Sequence, residues 1–212
     1  MKNLLTKFLI VLLFTSCSGD SEDSTIVTKD PDPDPIPVKI TDPFKKLISE
    51  GYNTDTFKFG ATLNFFQFNT NVETLFLKEF DYLVAENSFK QTIVHPEPNV
   101  WNWERADAFL DFANKNNLQL RVHGPIGPQS SNWAKTDSRT KDELIKNYEE
   151  FLTELCKKIN SEENVKWMDV VNETIDKEGK WTIEKMGTDY QNPWTQIGNN
   201  EDGIPLYIIR SF

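Results

Sequence analysis

Disulfides cannot brace this chain. It has two cysteines, Cys17 and Cys156; the first closes an N-terminal leader, and the one that remains has no partner. Histidine is as scarce. His95 and His123 are the only two, and neither stands at metal-like spacing from cysteine or carboxylate ligands, which argues against a zinc site. The nine glycines form no phosphate-cradling loop, and no Ser/His nucleophilic arrangement occurs. Nothing in the sequence implies a cofactor. Positive charge is also short: 23 Lys and Arg face 33 Asp and Glu, a formal charge of −10. Without Lys2 and Lys7 of the leader, the remainder carries −12. A surface that acidic repels phosphate backbones and excludes nucleic acid as the expected partner. It leaves neutral polymers open. What the sequence does have is a 38% hydrophobic fraction and six Trp among 212 residues, enough for one packed domain behind a leader.

Long apolar runs are missing too. Phe8 to Phe14 is too short to cross a bilayer, which needs about 20 helical residues. With Lys2 and Lys7 before it, the run reads as the core of an export signal over residues 1–16. Leu13-Phe14-Thr15-Ser16-Cys17 resembles a bacterial lipobox, which makes Cys17 the expected lipidation site. An ordinary secretory signal with an incidental cysteine is the alternative. The acidic stretch Ser18 to Asp23 resembles the signals that place lipoproteins of Bacteroidetes-like bacteria on the outer face of the outer membrane. The expectation is therefore an outer membrane lipoprotein exposed at the cell surface, held through a lipid anchor. Residues 17–42 continue as a spacer containing Asp30-Pro31-Asp32-Pro33-Asp34-Pro35, whose alternating Pro forbids helix and favours solvated, extended chain.

From residue 43 onward strands and helices alternate. Phe57, Phe59, Ala61 and Leu63 alternate as a first strand. Thr70 and Glu73 form a capping-box pair opening a helix with Val72, Leu75, Phe76, Phe80, Leu83 and Val84 on one face. Ser88 to Val94 reads as a second strand, and a helix over Trp103 to Asn116 gathers Trp103, Ala106, Phe109, Leu110 and Ala113. Leu118 to Val122 is a third strand. Thr140 and Glu143 cap a helix burying Leu144, Tyr148, Phe151, Leu152, Leu155 and Ile159, on whose stripe Cys156 reads as a small core residue. Val165 to Val171 is a fourth strand, and Pro205 to Phe212 opens another helix. The order implies parallel β/α units, with right-handed crossovers placing all strand ends on one rim. A closed eight-stranded β/α barrel takes roughly 250 residues. The expected fold is an α/β (β/α)8 TIM barrel represented by about its first four units.

The chemistry-bearing run is Trp167-Met168-Asp169-Val170-Val171-Asn172-Glu173. It ends a strand in Asn-Glu at the rim where barrel enzymes place reacting groups. A carboxylic acid shielded there by apolar neighbours has its pKa raised and protonates a leaving oxygen. A strand-end Glu that merely caps the next helix is the structural alternative. Asn172-Glu173-Thr174 also matches a glycosylation sequon, which carries little weight in a bacterial-looking lipoprotein. Trp181 and Trp194, in the loop that follows, either stack on sugar rings or cover the rim.

This run is similar to the Trp-Asp-Val-Val-Asn-Glu motif of glycoside hydrolase family 10, the β-1,4-xylanases, with Met168 inserted between Trp and Asp. Glu86-Asn87-Ser88-Phe89-Lys90-Gln91 resembles the family's Glu-Asn-x-Met-Lys-Trp at its second strand. Pro96 to Asp107 fits the Pro-rich turn and helix start that follow, and Leu120-Arg121-Val122-His123 fits the third strand. The resemblance implies Glu173 as acid/base. It implies Glu86, Asn87 and Lys90 as ligands of a sugar on the non-reducing side of the cleaved bond and His123 at the cleavage subsite, while Asn172, beside Glu173, supplies an amide that can bond the sugar 2-OH. After its His the family has Trp-His-x-Gln, whereas Gly127 and Pro128 stand here, which alters the pocket wall. The family's nucleophile lies on a seventh strand with no counterpart in these residues, so they alone are expected not to hydrolyse xylan. Three readings stay open. The first is part of a monomeric, retaining endo-β-glycoside hydrolase acting on a xylan-type polysaccharide. The second is a non-catalytic surface glycan-binding lipoprotein, and the third a gene fragment without activity.

Overall fold

Four short parallel strands form one sheet in the order β1-β2-β3-β4: β1 Gly60–Leu63, β2 Tyr82–Ala85, β3 Gln119–Val122 and β4 Val165–Met168. The computed structural model describes residues 41–135, 140–182 and 192–211, all within one compact unit, Ile36–Phe212. The leader, Cys17 and the spacer up to residue 40 lie outside the described residues, as does Phe212. The helices, in chain order, are α1 Phe44–Gly51, α2 Asn71–Glu79, α3 Gln91–Val94, α4 Glu104–Asn116, α5 Asn132–Lys135, α6 Lys141–Ile159 and α7 Leu206–Ile209. No helix among the described residues is long and apolar enough to cross a membrane.

Register is what builds the rim. Leu63, Ala85, Val122 and Met168 pair across the sheet as one row. The row beneath it is Thr62, Val84, Arg121 and Trp167. Side chains alternate faces along a strand, so Leu63, Leu83, Ala85, Leu120 and Val122 are buried beneath helices, while Thr62, Val84, Arg121 and Trp167 lie on the open face. The residues one step past the first row are Asn64, Glu86, His123 and Asp169, which therefore return to the open face at the carboxyl ends of the strands. Backbone bonds from Glu86 N to Leu63 O at 3.2 Å and from Asp169 N to Val122 O at 2.9 Å carry the ladder to that row. A register shift between Leu120 and Arg121 skips Lys166, a bulge that absorbs one extra residue of β4. Gly60 is required where β1 begins, since a Cβ there would stand 2.0 Å from the Tyr82 carbonyl oxygen.

The helical layer follows its sequence signals closely in two places. α4 carries Glu104 and Asp107 in its first turn, ends on Asn117 in the left-handed conformation, and buries Ala106, Phe109, Leu110 and Ala113. α6 has a complete Thr140–Glu143 capping box, acids in its first turn and Lys157 and Lys158 in its last, a charge order that suits the helix dipole. Its buried face is Leu144, Asn147, Tyr148, Phe151 and Leu155. Burying each large apolar side chain in this layer contributes about 1.5–3 kcal/mol.

Five expectations are corrected. α2 stops at Glu79 and leaves Leu83 and Val84 to β2, because Phe80 and the residues after it turn extended. Val72 and Leu75 are consequently exposed, with Phe76 the buried residue of α2. Its cap is Thr70, but the hydroxyl accepts from Val72 N, and Glu73 reaches back to Asn69 N rather than completing the box. The second strand is Tyr82–Ala85, not Ser88 to Val94; that later run is a tucked loop followed by the single turn α3, buried through side-chain bonds rather than a ladder. Phe57 and Phe59 precede β1 and are exposed. Cys156 is exposed too, since Leu155 occupies the buried stripe of α6 and the next residue turns about 100° away.

Candidate active site

Glu86 and His123 line a cleft of about 380 Å³ together with Thr62, Gln67 and Val84. Their placement follows directly from the register. Glu86 accepts a 2.9 Å hydrogen bond from Asn64 Nδ2 through Oε2. Asn64 is itself held by the 3-10 turn Phe65–Gln67, where its Oδ1 accepts from Phe66 N and its own N–H donates to Gln67 Oε1 at 2.8 Å.

Asp169 ties the third and fourth strands together. Arg121 Nε donates to both of its carboxylate oxygens at 2.9 Å, Arg121 Nη2 makes a further short bond, and His123 Nδ1 lies 2.9 Å from Oδ2. Burial pushes the Asp169 pKa up, but the Arg121 and His123 bonds outweigh it and hold the carboxyl below its ordinary value. The ionised group only accepts, so Nδ1 of His123 carries the hydrogen. Nε2 is left to whatever enters the cleft.

Lys90 is buried, and its ammonium donates to Gln129 Oε1 at 3.0 Å. Burial lowers its pKa, and the negative charges of Glu173 and Glu86 act against that shift. One lysine thus feels the carboxylates at the ends of both β2 and β4. Asn87 is half-buried and its carbonyl accepts from Lys90 N at 3.0 Å, but its side chain makes no hydrogen bond among the described residues.

The chain just beyond β4 is locked from two sides. Asn172 N donates to Ile126 O at 2.8 Å. Gly124 and Gly127 pack against Asn172 so closely that a Cβ on the first would lie 3.1 Å from its Nδ2 and one on the second 3.0 Å from its carbonyl oxygen. Gly124 and Gly127 are therefore positions of close packing against Asn172. Beyond it, Thr182 Oγ1 donates to the Glu173 carbonyl at 2.8 Å and Thr182 N to Thr174 O at 2.8 Å, folding residues 174–182 into a tight return with Ile175 bridging Trp181.

Glu173 sits at φ 55; the other non-glycine residues at positive φ among those described are Asn69, Asn99 and Asn117. Asn tolerates that region, whereas a Glu held there carries strain of about 1–3 kcal/mol, which structures retain mainly at functional sites. Its side chain is exposed rather than shielded by apolar neighbours. Trp194 is fully buried and stacks edge-on against Tyr148 at 5.3 Å, so it belongs to the core. Trp181 remains partly exposed on the return after Glu173. His95 is buried, with Nδ1 2.8 Å from Val100 O and its ring stacked on Trp101, a structural role.

Several residues of this cluster were not singled out by sequence reasoning: Thr62, Asn64, Gln67, Gln129 and the bridging role of Asp169. Asn64 was the findable one, since it follows β1 as Glu86 follows β2.

A family model, Glycosyl hydrolase family 10, matches residues 48–201. The chain belongs to glycosyl hydrolase family 10. Similar proteins include an endo-1,4-beta-xylanase A of Halalkalibacterium halodurans, 30% identical over 164 residues, which cover 68% of this chain and 40% of that protein. A beta-1,4-xylanase of Dictyoglomus thermophilum is 33% identical over 125 residues, 57% of this chain and 33% of its own. The crystal structure of xylanase 10B from Thermotoga petrophila, in complex with xylobiose, superposes with a TM-score of 0.57 at 26% identity, covering 73% of this chain and 44% of that one. The chain thus spans less than half the length of these relatives, and its parallel sheet with alternating helices is part of the family 10 (β/α) barrel.

Proposed function

We propose that these residues form the acid/base and glycone-binding part of a retaining family 10 glycoside hydrolase that cleaves a β-1,4-linked, xylan-type polysaccharide. One observation supports the reading: Glu86 and His123 stand one residue past the paired Ala85 and Val122 of β2 and β3, and Glu173 lies two residues beyond the parallel Ile126–Val171 bridge that carries the pairing past β4. In this reading Glu86, Asn87, Lys90 and His123 hold the sugar on the non-reducing side. Asn172 bonds its 2-OH, and Glu173 protonates the leaving oxygen and then deprotonates the attacking water. Asp169 keeps the His123 proton on Nδ1. Retention requires a second carboxyl about 5–5.5 Å from the first, and family resemblance assigns it to a strand with no counterpart here. The exposure of Glu173 fits a group that acquires its apolar surroundings only when substrate and the opposing wall enclose it.

The same reading includes a lipid on Cys17 and a place on the outer membrane surface, where a polymer too large to enter the cell meets the enzyme. Calorimetric titration of the full chain with β-1,4-xylohexaose tests the glycone assignment. Binding is expected in the wild type and at least about tenfold weaker in Glu86→Ala, which loses a charged hydrogen-bond acceptor. Absence of binding by the wild type would refute the reading.

A further inference from the structure

Gln67 is the one cleft-lining amide whose two ends are already sorted. Its Oε1 accepts from Asn64 N at 2.8 Å as one arm of a reciprocal capping box. Because the oxygen is committed to the backbone, Nε2 is the end left over, and it has no hydrogen-bond partner among the described residues. The side chain borders the same cleft as Glu86 and His123. Glu86 is likewise half-committed: Oε2 accepts from Asn64 Nδ2, while Oε1 has no partner among the described residues. Asn64 therefore fixes both neighbours at once. Its N–H orients the Gln67 amide and its Nδ2 orients the Glu86 carboxylate.

We propose that Gln67 is a further sugar-contacting residue that sets specificity in the glycone part of the cleft, with Asn64 as its positioning residue. A free donor at Gln67 Nε2 and a free acceptor at Glu86 Oε1 are the complement of a single hydroxyl, which accepts one hydrogen bond and donates another. The class of ligand recognised is a neutral sugar ring with an unsubstituted hydroxyl at that point. A methylated or acylated oxygen keeps the acceptor, loses the donor and leaves the carboxylate oxygen unmatched. Thr62 and Val84, on the open face below, supply a hydroxyl and an apolar floor to the same cleft. This inference rests on the glycone reading given above, and it is separable from it.

Gln67→Glu is the discriminating variant. A carboxylate oxygen still accepts from Asn64 N, so the capping box survives, but the donor is gone and a second negative charge stands beside Glu86. Titration of the full chain with β-1,4-xylohexaose is expected to show at least tenfold weaker binding in Gln67→Glu, with the unfolding temperature unchanged. Gln67→Ala, which loses both the cap arm and the donor, is expected to bind about three- to tenfold more weakly, measured well below its unfolding temperature. A Gln67 that serves only the cap would give the opposite pattern, with Gln67→Glu binding like the wild type and Gln67→Ala merely less stable. Wild-type affinity in either variant overturns the proposal while leaving the glycone reading intact. Failure of the wild type itself to bind overturns both.

Discussion

Replacing Asp169 with Asn preserves the side chain's size and removes its charge. The amide oxygen can still accept from Arg121, but the amide nitrogen must then face His123 and asks its Nδ1 to accept. That drives the imidazole hydrogen to Nε2, the tautomer opposite to the one the carboxylate imposes. Asp169 receives two Arg121 Nε contacts and one from His123, all at 2.9 Å. Hydrogen bonds to charged groups contribute about 1.5–3 kcal/mol when sheltered. The Arg121 side chain is 44% exposed while that of Asp169 is 22% exposed, so water screens part of this, and Asp169→Asn is expected to cost about 1–2 kcal/mol. For a chain of this size that is a fall in unfolding temperature of roughly 2–8 °C. The pH dependence adds a sharper check. Because the folded Asp169 pKa lies below its ordinary value, its contribution is fully present above about pH 4 and disappears as pH falls through the lower folded value. Thermal unfolding followed by circular dichroism should show a gap between wild type and Asp169→Asn at pH 7 that closes in acid. No gap at pH 7, or one that persists unchanged at the lowest pH where both proteins are folded, would refute the reasoning.

Gly127→Ala should destabilise by about 1–3 kcal/mol, because its Cβ meets the Asn172 carbonyl at 3.0 Å; a denaturation midpoint equal to that of the wild type would contradict this. Lys90→Met should fold at least as stably as the wild type at pH 7, since it removes a buried charge, yet lose at least about tenfold in xylohexaose affinity. The sign follows from the lowered Lys90 pKa: wild-type stability gains as pH rises from that folded value towards the ordinary 10.5, and Lys90→Met should lack the gain. Cys17→Ala should release the chain from the membrane fraction on ultracentrifugation, and unchanged sedimentation with membranes would exclude the lipid anchor.

The sequence made the long, capped helices legible. The Thr140–Glu143 box and the Glu104–Asn116 stripe are local signals, and local signals survive without tertiary context. Strand two was not legible in the same way. Tyr82–Ala85 is only four residues, too short to declare a period of two, and the apolar stripe of the preceding helix runs straight into it. The run at Ser88 to Gln91 imitates a strand because it is buried, yet what ties it down is Ser131, whose hydroxyl donates to Gln91 O and His95 O from 36–40 residues away. At the site, Glu86, Asn87, Lys90, His123, Asn172 and Glu173 stood in recognisable motifs. Asn64 and Gln67 did not, since their place depends on a parallel register and a 3-10 turn that no spacing announces. Cys156 shows how little separates the two cases: one position along α6 moves a residue from core to solvent.

Glu173→Ala tests the acid/base assignment most directly, in the chain joined to the nucleophile-bearing half of a family 10 xylanase. Removing a general acid costs about 10²–10⁴-fold where the leaving group needs a proton. Hydrolysis of xylan and of alkyl xylosides should therefore fall by that order, while aryl xylosides with good leaving groups keep far more of their first-step rate, and azide should restore turnover. An equal loss for good and poor leaving groups, with no rescue by azide, would contradict the acid/base assignment.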